Sequence, residues 1–212
     1  MKFYDRAQDP ISFLTHFIGA IFAVAGTAIV VISQWLRHGS LSSILSVLIF
    51  GLSMMALYSA SSIYHYVSED APSKLRLRKL DHAMIYILIV GSYTPLCLAY
   101  MDDPRLFLGV IWSVAILGII IKMIWMDAPR WLSTVFYLGL GWSILFDVSI
   151  LTSMSTACVT LIAIGGISYS IGAIIYMIKK PNFTERFGFH ELFHIFIMIG
   201  TFFHFIAIAL YI

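Results

Sequence analysis

The stretch "HELFHIFIMIGTFFHFIAIALYI", residues 190 to 212, decides how this chain is read. Its first five residues spell H-E-x-x-H, which on a soluble helix sets two zinc-ligating histidines on one face with a glutamate as general base. The residues after His194 contain no Asp, Glu, Lys or Arg to the end of the chain. A run of that length and polarity is a membrane span, so the meaning of the motif has to be settled inside a membrane protein.

Composition agrees. Of 212 residues 60% are hydrophobic, 15% aromatic and only 11% charged, with a mean hydropathy of +0.93. These values lie far from those of a soluble globular domain. A helical span needs about 20 mostly apolar residues, and seven stretches qualify: 11–35, 41–67, 80–101, 104–126, 130–150, 157–179 and 190–212. The first is too long for a signal peptide and is followed by no small-residue cleavage site, so it counts as a span. The expected fold is all-α: a polytopic integral membrane protein, one seven-transmembrane helix bundle over residues 1–212. Cys97 and Cys158 fall inside spans and read as packing residues rather than a disulfide framework or thiolate site.

Orientation follows from the basic residues. Lys2, Arg6, Lys74, Arg76, Arg78, Lys79, Lys122, Arg130, Lys179, Lys180 and Arg186 fall on one side, and only Arg37 and Arg105 on the other. The amino terminus is expected in the cytoplasm and the carboxyl terminus outside. No clustered basic surface interleaved with aromatics suggests nucleic acid. Short connections leave no room for a linker or low-complexity segment. Gly19, Gly26, Gly118, Gly139, Gly141, Gly165, Gly166 and Gly172 read as points of close helix approach, and Pro95 as a bend in the third span.

Ionisable groups inside a span are costly and mark functional sites by default. Several share one depth: His65 ends the second span on the cytoplasmic side, Asp81 starts the third there, His190 and His194 start the seventh, and His16 starts the first. His190 and His194, four residues apart, share a helix face and can grip one metal ion. With His65 they make three imidazoles, a set suited to zinc with an open fourth position. Asp81 can hold and deprotonate water there, or pair with Arg78 or Lys79. Ser61, one turn before His65, can stabilise an oxyanion or bond its own backbone; spacing does not choose. Glu191 reads as an interfacial acid near Arg186 in preference to a general base. His16 reads as packing in preference to support of the ligands. His82 can face lipid headgroups, Lys122 can snorkel to the cytoplasmic surface, Asp147 can reach water, and His204, about 15 Å along the helix from His194, bonds another helix.

"SASSIYH" closing span two, "LDHAMIYILIVGSYTP" opening span three, the 190–212 stretch and "DPISFLTH" near the start resemble the bacterial hemolysin III family, within the progestin and adipoQ receptor group. The resemblance covers nearly the whole chain. It implies a seven-helix bundle in the bacterial cytoplasmic membrane with zinc held by three histidines, matched here by His65, His190 and His194. Asp81 matches the aspartate that holds the zinc water, and Ser61 the serine of the wider group. "HELFH" then reads as H-x-x-x-H. The wider group is similar to alkaline ceramidases, which implies hydrolysis of a lipid amide or ester, membrane lipids as partners and a role in membrane-lipid homeostasis. Two other expectations stay open: a non-enzymatic lipid or membrane-state sensor with structural zinc, and a pore-forming haemolysin. No oligomeric state follows from the residues.

Overall fold

The computed structural model describes residues 6–212; Lys2, one of the basic residues used for orientation, lies outside them. Eight α-helices follow one another: α1 Pro10–Leu36, α2 Leu41–Tyr66, α3 Lys74–Tyr100, α4 Arg105–Ile124, α5 Arg130–Gly141, α6 Val148–Ser153, α7 Thr156–Ile178 and α8 Phe189–Tyr211. A 3-10 turn, Ser143–Phe146, separates α5 from α6. Six helices are long and apolar enough to cross a membrane: α1, α2, α3, α4, α7 and α8. The chain is therefore an integral membrane protein built from helices, and the described residues contain no strand.

Consecutive helices pack on one another through α4, α7 packs on α8, and α8 closes back on α1. The inner faces are filled by Phe50, Val47, Val90, Ala115 and Ile208, all almost fully buried. The outer faces carry Ile21, Phe22, Ile29, Val114, Leu117 and Ile120, all exposed. An apolar surface that wide is stable only against lipid.

The expected span at 130–150 is interrupted. Its helix stops at Gly141, and the hydroxyl of Tyr93 on α3 sits in the break, donating to the Gly141 carbonyl at 2.7 Å and accepting from the Ile144 amide at 3.0 Å. One side chain thus satisfies a donor and an acceptor that an unbroken helix would pair internally. Asp147 then caps α6 by accepting from the Ser149 amide at 3.1 Å.

The glycine expectations divide. A methyl group at Gly26 would meet the ring of Phe205 at 2.9 Å, and one at Gly172 the Cβ of Phe196 at 2.9 Å. Gly139 and Gly141 face nothing within 4 Å, so they serve no close approach. α3 runs through Pro95 as one helix.

One end of the bundle holds the C-terminus of α2 and the N-termini of α1, α3 and α8. There every carbonyl that α2 leaves open finds a donor. The backbone amides of Gln8 and Asp9 donate to Tyr66 and His65 at 3.3 and 3.0 Å. The buried Lys74 ammonium donates to the carbonyls of Tyr64 and Val67 at 3.0 and 2.8 Å. A cation at a helix C-terminus also complements its dipole. His65 therefore stands on a helix end fixed from two sides.

Candidate metal centre

His65 comes from the last turn of α2, and His190 and His194 from the first turns of α8. The structure brings the three together: one ring nitrogen from each lies within 4.8 Å of the others. His65 Nε2 and His190 Nε2 are 3.2 Å apart. With zinc–nitrogen bonds of about 2.0–2.1 Å, two ligands of a tetrahedral ion stand about 3.3 Å apart, so this pair has the spacing of co-ligands.

The other nitrogen of His65 fixes its tautomer. His65 Nδ1 donates to Asp9 Oδ2 at 2.8 Å, which leaves Nε2 with its lone pair toward the other rings. That bond holds the Asp9 carboxyl below its ordinary value, against the opposing effect of partial burial. His194 Nδ1 makes a longer contact of 3.5 Å with Thr15 Oγ1, which itself donates to the Ser12 carbonyl. Three imidazoles with one nitrogen each within 4.8 Å of the others fit a borderline-soft cation such as zinc. The group can hold a metal ion.

His16 is stacked on His194 with ring centroids 3.7 Å apart and planes 4° from parallel. Tyr58 meets its edge at 5.1 Å. Neither His16 nitrogen has a hydrogen-bond partner. Its packing is thus a stack on a ligand ring, which also supports that ligand, and not the hydrogen bond to another helix that a packing histidine would make.

Beside the histidines lies a cavity of about 230 Å³ within the bundle. Its wall includes His190, His194, Asp81 and Ser61, so the two residues expected to act near the metal border the same space as two of the ligands. Ser61 Oγ is buried and has no hydrogen-bond partner, which sets aside the bond to its own backbone. Asp81 does not pair with its basic neighbours. Arg78 reaches Asp127 at 3.6 Å and Lys79 donates to the Met123 carbonyl at 2.6 Å. Asp81 instead lies 3.6 Å from His82 Nδ1.

Glu191 has structural duties. One carboxylate oxygen accepts from the Gly188 amide at 2.9 Å, capping α8, and the other from Ser12 Oγ at 2.8 Å, clipping α8 to α1. It makes no ion pair with Arg186 among the described residues. Two further expectations are corrected. His82 is mostly buried and borders the cavity instead of facing headgroups. Lys122 does not snorkel: it is 6% exposed, and its ammonium donates to the Met126 carbonyl and Ser133 Oγ at 3.0 and 3.2 Å. His204 does contact another helix, through Nε2 to the Ile162 carbonyl at 3.3 Å. Cys97 and Cys158 are buried free thiols.

Sequence reasoning missed Asp9. The pair Asp9-Pro10 is a helix-start signal, and that is all it reads as along the chain. Its contact with His65 arises only when α1 lies beside α2.

A family described as Haemolysin-III related matches residues 4–205. Hemolysin-3 of Bacillus cereus is 33% identical over 94% of this chain and 89% of its own length. The Hemolysin-3 homolog of Bacillus subtilis is 34% identical over 93% and 91%. The human monocyte to macrophage differentiation factor is 28% identical over 77% of this chain and 68% of its own. With a family match over almost its whole length and two relatives above 30% identity, this chain belongs to the haemolysin-III related family.

Proposed function

We propose that this protein is a zinc-dependent hydrolase of lipid amide or ester bonds, acting in membrane-lipid homeostasis from the bacterial cytoplasmic membrane. One observation carries the reading: two of three converging histidines open on a cavity inside the bundle whose wall also holds a carboxylate, Asp81, and an unpartnered hydroxyl, Ser61. His65, His190 and His194 would hold the ion. Zinc, when bound, supplies Lewis acidity that lets water act as a nucleophile near neutral pH.

This chain's residues do the rest. Asp81, free of Arg78 and Lys79, accepts the proton of the attacking water and returns it to the leaving amine or alcohol as the acyl C–N or C–O bond breaks. Ser61 Oγ donates to the oxygen of the attacked carbonyl as it gains charge. Asp9 keeps His65 in one tautomer and His16 keeps the His194 ring in place. An acyl chain lies along the apolar wall formed by Leu88, Leu96, Ile144 and Val159.

The topology that goes with this reading has seven spans. Residues 130–153, from α5 through the 3-10 turn to α6, make the fifth, broken around Tyr93. An odd number puts the termini on opposite sides, and the distribution of basic residues supports a cytoplasmic histidine end. In proteoliposomes, zinc-loaded protein offered amide and ester lipids should release fatty acid, with Asp81→Asn and Ser61→Ala slower. No release from any class would refute the hydrolase.

A second reading draws on the same geometry. Ligands on α2 and α8 make the ion a clip between two helices, suited to a non-enzymatic sensor. Asp81→Asn separates the two: a sensor keeps metal and phenotype, whereas a hydrolase keeps metal and loses turnover.

A further inference from the structure

Lys122 is the buried charge that the proposed chemistry leaves unused. It lies on α4 near its C-terminus and is 6% exposed, yet its two hydrogen bonds go to neutral acceptors. No carboxylate among the described residues forms an ion pair with it: Asp127 is taken by Arg78, and Asp81 lies against His82. A buried ammonium with no carboxylate in contact, and only Asp127 attracting it from farther off, is expensive. Lys122 borders the cavity that reaches His190 and Asp81.

Arg130 borders the same cavity from the exposed start of α5. Its guanidinium lies over the rings of Tyr176 on α7 and Phe189 on α8, at 5.0 and 5.6 Å, so it is held across the gap between helices rather than free in solvent. The charged residues of the cavity wall are thus two cations, Lys122 and Arg130, and one anion, Asp81. Beyond them the wall is mostly apolar, with Leu96, Ile144 and Val159, and also carries Ser92, Tyr93 and His204. A cationic mouth, a reactive centre beside it and an apolar depth describe the ligand.

We propose that this cavity selects amphiphiles with an anionic head, a carboxylate or phosphate, which Lys122 and Arg130 bind while the acyl chain fills the apolar part. The inference rests on the proposed lipid chemistry for its acyl chain and names the substrate class. Head selection itself needs no metal. The competing role for Lys122 is a staple that closes the α4–α5 connection on Met126 and Ser133; that role predicts no preference among heads.

The test uses full-length protein in an uncharged detergent and measures equilibrium binding of two amides with the same chain, N-oleoylglycine (anionic) and N-oleoylethanolamine (neutral). Wild type should bind the anionic amide roughly tenfold more tightly, the scale of one hydrogen-bonded charge. Lys122→Met should lower the preference severalfold, by weakening the anionic amide more than the neutral one. If Lys122→Met does not fold, Arg130→Gln, at an exposed position, decides: the preference should fall severalfold. Equal binding of the two amides by wild type, or a preference undiminished in whichever variant folds, overturns the proposal. Oleoyl lysophosphatidate and inorganic phosphate separate the sources of the charge. The lysolipid should compete and the phosphate ion should not; equal competition by the free ion would overturn the amphiphile. His190→Ala, expected to lose the metal, should keep the preference, so a failed hydrolase and a failed head site give different results.

Discussion

Replacing Asp9 by Asn tests whether the metal centre depends on the carboxylate behind it. The bond from His65 Nδ1 to Asp9 Oδ2 is 2.8 Å, short and charge-assisted. Asn at this position keeps an acceptor of similar shape and loses the charge that makes the His65 imidazole a better donor to a cation. Outer-shell partners of this kind are worth about 10–100-fold in metal affinity, or about 1.4–2.7 kcal/mol. The Asp9 side chain is 44% exposed, so water screens part of the effect and the lower end, about tenfold, is expected. The assay is zinc competition against chelators of graded affinity, on purified protein whose helix content is checked by circular dichroism. Ser12→Ala is the control: it breaks the neighbouring contact to Glu191 without touching His65 and should leave zinc affinity within about twofold, well short of the outer-shell scale. Unchanged affinity in Asp9→Asn, with the fold intact, would refute the reasoning and assign the orientation of His65 to helix packing alone.

Other predictions follow from single contacts. Alanine at His65, His190 or His194 should each abolish stoichiometric zinc binding, read by elemental analysis; retention in any one removes it from the ligand set. Glu191→Gln should keep zinc and turnover and lower stability by about 1 kcal/mol through the weakened cap; lost turnover with zinc retained would restore Glu191 as a base. Tyr93→Phe strands the Ile144 amide and should cost about 1–3 kcal/mol in thermal unfolding, whereas Gly139→Ala, facing open space, should be neutral or stabilising by up to about 1 kcal/mol. For topology, Ser68→Cys and Asp102→Cys, both exposed connections, should label with an impermeant thiol reagent from opposite sides of the membrane, in chains whose buried native cysteines are replaced. Labelling from the same side would refute the proposed arrangement.

The sequence by itself determined the class of molecule and singled out the three histidines that the fold brings together. Hydropathy runs as long as 195–212 have one physical outcome, because a bare backbone cannot be left unpaired in lipid. His190 and His194 share a face by helical periodicity alone, and the scarcity of charge in the spans made His65, Asp81 and Ser61 conspicuous. Tertiary structure decided what depends on contacts between helices distant in sequence. Asp9 reads as a helix start until α1 meets α2; Glu191 reads as an interfacial acid near Arg186 until Ser12 and Gly188 are found on its two oxygens. Lys122 reads as a snorkelling cation until its ammonium is found turned inward onto Met126 and Ser133. The break at Gly141 is of the same kind. Residues 130–150 are apolar enough for one helix, and what ends it is a hydroxyl from α3, a partner that no local pattern in those residues can announce.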